Sequence, residues 1–523
     1  MHDDRPARPR PRTISAALVG LVSVATALAV GHLVAGLLSV PTASPFLAVG
    51  NAAIDRTPNP VKEFAIAQFG TADKLVLLLG MAVVIALVAL AAGLLSRRGV
   101  VPGLVVVGLL GALGVLAVWE QSGTAVGLLA PLAALAAGIA AFAGLHRLAG
   151  NAARDAEPTA TSMPRRRFLA ASGGVAAGAA IAGIGGELAS RRIDVAASRA
   201  AVGPLVPAVP SPPIPAGAAF PELGTPPFLT PPADFYRVDI NLTVPRLRAQ
   251  DARLRITGLV EREVELTFEE IRSRPLVERP ITMTCVSNYV GGPYVSTSTF
   301  IGVPLTDLLA EAGPLPEATQ LVGRAVDGFT IGTPLRRVLD AGDRALLVIG
   351  MDSEPLLPEH GFPMRVVVPG LYGYVSATKW LTELELTTFD FDPYWEQRGW
   401  DGDPEGIVTI KTSSRIDAPG PFEQVPAGEV TIAGTAWAQT IGIKRVEVRV
   451  DDGPWQDAEL GTEVNLDTWR MWFLRVPLGP GSHTATVRAT DRSGYTQTAE
   501  RVEPINPGPD GSTGWHGVTF TAA

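Results

Sequence analysis

The stretch ITMTCVSNYVGGPY at 281–294 holds Cys285, the one cysteine among 523 residues. Residues before it are β-branched and apolar, as in a strand, and a Gly-Gly-Pro turn follows. A thiol just past a strand end, facing a loop, is placed to act as a ligand or nucleophile. A lone cysteine makes no intrachain disulfide, and a zinc site needs several more ligands close by. A thiolate does suit a metal that arrives with its other ligands attached. The competing reading is a buried free cysteine packing as a small hydrophobe.

The elements around this stretch read as mixed α and β over 234–400. Strands are expected at 253–259 and 264–266, joined by a charged turn at 260–263. Thr267 followed by Glu270 is a capping box opening a short helix to 272. A second short helix spans 305–312 and stops at Gly313, and strands follow at 345–350, 364–368 and 381–386. From 401 onward strands recur at short spacing: 430–436, 445–450, 471–476 and 483–490, with turns at Asp451-Asp452-Gly453 and Gly479-Pro480-Gly481. That spacing predicts a β-sandwich.

The first 190 residues are of another kind. Apolar runs at 13–40, 74–95, 100–119, 124–145 and a Gly/Ala-rich one at 168–188 are each long enough to span a bilayer. Charged residues are only 18% of the chain and mean hydropathy is +0.25, which fits a membrane portion joined to a soluble one. Arg5, Arg8, Arg10 and Arg12, then Arg97 and Arg98, then Arg147, Arg154 and Arg165–Arg167 fall on one side if every run crosses. The positive-inside rule then puts the N-terminus in the cytoplasm and everything after about 190 outside. Arg165-Arg166-Arg167-Phe168-Leu169 resembles a twin-arginine export signal, here internal and read as a retained anchor. Residues 190–233 form a Pro-rich linker that, as polyproline II, could hold a domain tens of ångströms off the membrane, or whose last part could instead lie on the domain surface. A net charge of −8 gives no reason to expect nucleic acid as a partner.

Four separated segments together resemble the sulfite oxidase family of molybdopterin enzymes: FYRVDINLTVP with LRITGLVEREVELTFEEI, TMTCVSN with FIGVPLTDLL, HGFPMRVVVPGLYGYVSATKWL, and SSRIDAPGPFEQVPAGEVTIAGTAWA. The resemblance covers about 225–523 and implies an α+β chain: transmembrane helices, a mixed α/β molybdopterin domain at 234–400, and an immunoglobulin-like sandwich at 401–523 of the kind used for dimerisation. It implies that Cys285 binds molybdenum through its thiolate, while a pyranopterin supplies two further sulfurs. One protein thiolate then suffices, because the cofactor carries the rest. His360 and Arg365 become holders of the pterin and its phosphate, for which arginine's fork is suited. Tyr236, Arg237, Asn241, Asn288, Tyr372, Gly373, Ser376 and Lys379 fall on segments that line the cofactor. Without the resemblance, His360 is an ordinary turn histidine and Arg365 a strand cation in need of a partner.

The departures bear on substrate. Sulfite-oxidising members carry Arg-Asn-His where this chain has Asp239-Ile240-Asn241, and arginine close after Cys-x-x-Asn where it has Tyr289 and Val290. Their pocket tyrosine stands here as Ile349. A buried sulfite dianion needs fixed positive charge, so a small neutral or cationic substrate is expected, with Tyr289 and Asp239 at the metal-facing pocket. The expected activity is two-electron or oxygen-atom transfer outside the cytoplasm, with a separate electron carrier or quinone as partner. Two alternatives stay open: a catalytically silent binding or scaffold protein on the same fold, and a sulfite oxidase proper. His32 and His146 sit at opposite ends of their spans, so no intramembrane haem is expected.

Overall fold

This computed structural model describes residues 13–523 apart from 39, 59–60, 62–67, 70–72, 123–124, 155–162, 191, 241, 401–408 and 506–508. The N-terminal arginines and Asn241 therefore lie outside the described residues. The chain divides into two compact units, one of Met1–Ile193 with Asp239–Val244, the other of Asp194–Val238 with Pro245–Ala523.

In the helical unit, Thr13–Leu37, Asp73–Leu95, Val101–Ser122, Leu129–Arg154 and Met163–Ser190 are five helices long and apolar enough to cross a membrane. A helix satisfies its own backbone in hydrocarbon, which is why such runs adopt it. Glycines bring the helices close: a Cβ at Gly20 would strike the carbonyl of Ala89, and one at Gly36 that of Gly186. Leu75, Leu79, Val83 and Leu87 form an exposed apolar stripe at helical spacing. The 41–72 loop contains a helix the sequence reading missed, Pro45–Arg56, started by Pro45 in its first turn.

Asp239–Val244 is held within this unit by polar contacts. Lys74 Nζ lies 3.0 Å from Asp239 Oδ1, and Leu242 N donates to Asn51 Oδ1 at 3.3 Å. The Asp239 side chain is only 4% exposed, so removing its cation leaves a carboxylate in poor solvent. Lys74→Met is expected to loosen this segment, read as amide exchange about tenfold or more faster at 239–244 with little change elsewhere. Unchanged protection would show that Lys74 contributes nothing there.

The second unit opens with Val195–Val202, a helix capped by Asp194, and then the Pro-rich stretch. That stretch is not a free polyproline stalk. Arg199 donates to the carbonyls of Pro355 and Leu356, each at 2.7 Å. Ala208 N bonds Leu276 O and Glu278 N bonds Val209 O. Trp469 Nε1 donates to Phe228 O at 3.0 Å. Proline removes donors but leaves carbonyls, so a Pro-rich segment can lie down wherever the surface beneath supplies N–H groups.

The α/β domain has strands β1 Arg253–Gly258, β2 Val264–Thr267, β3 Val277–Thr284, β4 Val295–Pro304, β5 Gln320–Ala325, β6 Thr330–Pro334, β7 Leu346–Met351, β8 Glu354–Pro355, β9 Arg365–Val367 and β10 Leu381–Thr387. They form two sheets, β2-β1-β10-β5-β6 and β3-β4-β7-β8, with β9 also pairing to β7. The capping box at Thr267 and Glu270 is present in both directions, and the helix Leu305–Ala312 ends at Gly313 in the left-handed region. β3 and β4 are buried almost throughout, as strands covered on both faces must be. Ile349 is fully buried in β7.

The C-terminal sandwich has strands β11 Ser413–Ala418, β12 Gln424–Val425, β13 Gly428–Trp437, β14 Ile443–Val450, β15 Gln456–Asp457, β16 Glu459–Leu460, β17 Arg470–Leu478, β18 Gly481–Asp491 and β19 His516–Ala522. Its sheets are β11-β13-β17-β16 and β12-β19-β18-β14-β15. Trp472, Ile432, Val448, Val487 and Phe520 fill the space between them.

Candidate active site

Cys285 leaves β3 and starts a loop that returns into β4. The loop is fastened by its own bonds: Cys285 N to Tyr294 O at 3.0 Å, Asn288 N to Cys285 O at 3.0 Å, and Tyr294 N to Asn288 Oδ1 at 2.9 Å. The side-chain oxygen of Asn288 is thus committed to loop shape. The thiol is buried, and burial pushes its pKa up, opposed by hydrogen bonding to Ser287. Among the described residues no group of three or more His, Cys, Asp or Glu could hold a metal. A metal at Cys285 would have to bring its own further ligands.

Arg365 on β9 is the second unusual group. It is 5% exposed, its Nη1 donates to His360 O at 3.3 Å, and its Nε is buried without a partner. Burial pulls its pKa down to about 10, and among the described residues no carboxylate pairs with it. A buried guanidinium in that condition is suited to an incoming anion. Tyr236 links the two groups, since its hydroxyl lies within electrostatic reach of both Cys285 and Arg365. Burial raises the hydroxyl pKa of Tyr236 and of Tyr372 well above the ordinary tyrosine range, so both remain protonated.

His360 Nε2 lies 2.8 Å from Pro232 O. A carbonyl only accepts, so Nε2 carries the hydrogen and Nδ1 keeps its lone pair. Burial drives the pKa of His360 down to about 4, leaving the ring neutral. Gly361 (φ 104°) has no room for a Cβ between Lys379 and Arg365. Lys379 Nζ donates to Glu359 O at 3.2 Å, and Ser376 Oγ to Tyr372 O at 2.9 Å. A Cβ at Gly373 would fit in ordinary contact with Tyr236 Oη at 3.7 Å and Ala377 Cβ at 3.9 Å.

Asp239 belongs to the helical unit, where Lys74 takes its carboxylate. Arg237 is exposed. Tyr289 shares the Cys285 loop, but its side chain is 48% exposed. The sequence reading missed Pro232, whose carbonyl fixes the His360 tautomer, and Ser287 beside the thiol. Pro232 carried no signal, because a backbone acceptor is not written in residue type, and Ser287 acts as a hydrogen-bond donor toward the thiol sulfur.

The pKa of His516 on β19 is also pulled down to about 4 by burial, helped by Arg415 and Arg501. For both histidines the folded value lies below the ordinary 6.5, so between those values the unfolded chain binds more protons. Their stabilisation is complete above about pH 6.5, declines as pH falls, and levels off below about pH 4. At 1.36 kcal/mol per unit each contributes at most about 3 kcal/mol. The urea midpoint of the apoprotein is expected to fall between pH 7 and pH 5, and less so in His516→Gln. A flat profile would contradict the neutral assignments.

Residues 241–395 match the oxidoreductase molybdopterin binding domain. The chain is 30% identical over 343 residues to mitochondrial sulfite oxidase of Homo sapiens, covering 57% of this chain and 62% of that protein. It is 30% identical over 334 residues to sulfite oxidase of Gallus gallus, covering 55% of this chain and 72% of that protein. Nitrate reductase (NADH) 1 of Oryza sativa subsp. japonica is 29% identical, with 53% of this chain and 36% of that protein covered. Among solved structures, the sulfane dehydrogenase SoxCD from Paracoccus pantotrophus aligns with TM-score 0.49 and 25% identity, over 59% of this chain and 88% of that one.

A buried thiol without fellow ligands and a buried guanidinium without a carboxylate partner, each among the described residues, lie in a domain of the molybdopterin-binding oxidoreductase class. Within that class the chain belongs to the sulfite oxidase family. The residues present would suit the cofactor: Cys285 as one sulfur ligand, Arg365 as a fixed charge for the phosphate, and neutral His360 as an acceptor at Nδ1.

Proposed function

We propose that this chain is a membrane-anchored molybdoenzyme working on the extracytoplasmic side, with Cys285 as the metal's protein ligand and a small substrate other than sulfite. When bound, the cofactor supplies the two-electron or oxygen-atom transfer. The protein's part is to hold the thiol, to neutralise the phosphate through Arg365, and to keep His360 in one tautomer through Pro232. Support for the anchor comes from the five apolar helices. The substrate reading is carried by one observation: the loop from Cys285 to Tyr294 contains no cation, and Asp239, where sulfite-oxidising members carry arginine, is paired with Lys74. A sulfite dianion would find no fixed charge at either of those positions. Tyr289, exposed on the same loop, is the group we assign to meet substrate.

Electrons would pass to a separate carrier or quinone, and the helices would carry no haem. His32 is instead engaged with Ser44 at 3.4 Å and Glu187 at 3.9 Å. The sandwich is the face through which two copies would pair. The test is molybdenum and pterin content of the full chain from a molybdopterin-making host, followed by sulfite:ferricyanide and S- or N-oxide assays and a reduced-minus-oxidised spectrum. Stoichiometric cofactor with negligible sulfite turnover supports the reading. Rapid sulfite oxidation overturns the substrate assignment, a Soret band overturns the haem assignment, and absence of cofactor favours a silent scaffold.

A further inference from the structure

The sandwich grips the chain on both sides of Cys285. Before it, Gln439 Nε2 donates to Thr282 O and Thr284 Oγ1, each at 3.2 Å. Trp469 N donates to Thr282 Oγ1 at 2.7 Å, and Thr282 N to Asp467 O at 2.9 Å. After it, Arg415 Nη1 donates to Gly292 O at 2.9 Å and Ser512 Oγ to Asn288 O at 2.6 Å. Gly291 (φ 80°) lies flat against the His516 ring, where a Cβ would collide. The Arg415 guanidinium is itself aimed: its Nε donates to Asp417 Oδ1 at 2.7 Å, and both side chains are 13% exposed. His516 Nδ1 accepts from Ile416 N at 3.0 Å, tying β19 to β11 under the loop.

The matched cofactor domain ends at 395, so these contacts come from outside it. The loop's internal bonds fix its shape, but they do not fix where that shape sits. Besides the packing of Val286 in the core, two hydrogen bonds to backbone carbonyls and one close contact do so, and these three come from the sandwich. Arg415 carries a full charge at a nearly buried position, where a charge-assisted bond is strongest.

We propose that Arg415 and Ser512 are positioning residues that hold the 285–294 loop closed, so the sandwich presents the Cys285 thiol to the cofactor. This rests on the reading that Cys285 is the metal ligand. Because Cys285 is the chain's one cysteine, its alkylation reports on this loop alone.

The test uses full-length apoprotein, in detergent, from a host that makes no molybdopterin. N-ethylmaleimide labelling is followed for wild type, the double variant Arg415→Ala with Ser512→Ala, and Arg445→Ala, which removes a half-exposed cation and its pairs with Asp457 and Glu447 elsewhere on the sandwich. Labelling in the double variant is expected to be about tenfold or more faster and nearly independent of low urea, as for a local opening. Arg445→Ala is expected to match wild type. If the double variant fails to fold, Ser512→Ala alone is expected to speed labelling a few-fold. Labelling as slow as wild type in a folded variant overturns the proposal, as does acceleration that appears only with urea-driven global unfolding. In the holoenzyme, Arg415→Ala is expected to lose molybdenum and shift the sulfur-to-metal charge-transfer absorption, and Arg415→Lys to restore both. Retention of molybdenum by Cys285→Ser would sink the ligand reading while leaving the labelling result to decide the grip.

Discussion

Cys285→Ser is expected to leave the apoprotein folded, with an unfolding midpoint close to wild type, and to empty it of molybdenum. Serine is nearly isosteric with the buried thiol, which has no hydrogen-bonding duty that a hydroxyl could not meet. A hydroxyl is a far weaker ligand for a metal that prefers soft sulfur. Losing an outer-sphere partner of a ligand already costs ten- to a hundredfold in metal affinity, so losing the ligand is expected to cost on the order of a hundredfold or more. Molybdenum per chain after gel filtration, measured by plasma mass spectrometry, checks this. Equal metal in the variant would remove Cys285 from the site.

Arg365→Met is expected to act with opposite signs in the two forms of the protein. In the apoprotein Arg365 is a buried cation with no carboxylate partner among the described residues. Replacing it with an apolar chain of similar reach removes a desolvated charge, for a gain of roughly 1–4 kcal/mol. The apoprotein should therefore melt higher than wild type. The holoprotein should lose the charge that faces the phosphate, a cost of about 2–5 kcal/mol, or roughly 30- to 1000-fold in cofactor retention. Paired melting curves and pterin fluorescence of the two forms decide it. A destabilised apoprotein would mean that Arg365 already has its anion within the chain.

Elements whose signal is local were legible in the sequence. The five apolar runs became helices with shifted ends, because hydrophobic length alone makes a span. The capping box at Thr267 and the glycine stop at Gly313 were readable because each is a contact between near neighbours. Cys285, His360 and Arg365 stood out together through the resemblance, and the structure places Arg365 and His360 in contact. The pairing of Asp239 with Lys74 was not legible, because the two are 165 positions apart and no pattern around either residue announces the pair. The Pro-rich stretch left two paths open for a related reason. Its composition describes what its own backbone prefers, whereas its path depends on donors from Glu278 and Trp469 onto its otherwise idle carbonyls.

That path redraws the border of the catalytic part. A fragment begun at Asp234, where the strand pattern starts, would lack the Pro232 carbonyl that fixes His360 and the Phe228 carbonyl that receives Trp469. One severed contact is at the cofactor and the other lies under the loop's grip. A protease nick in the stretch from 203 to 232, which composition marks as dispensable, would therefore register as a defect in cofactor chemistry. Substitutions there would be mistaken for active-site lesions, although the stretch reaches His360 only through the backbone carbonyl of Pro232.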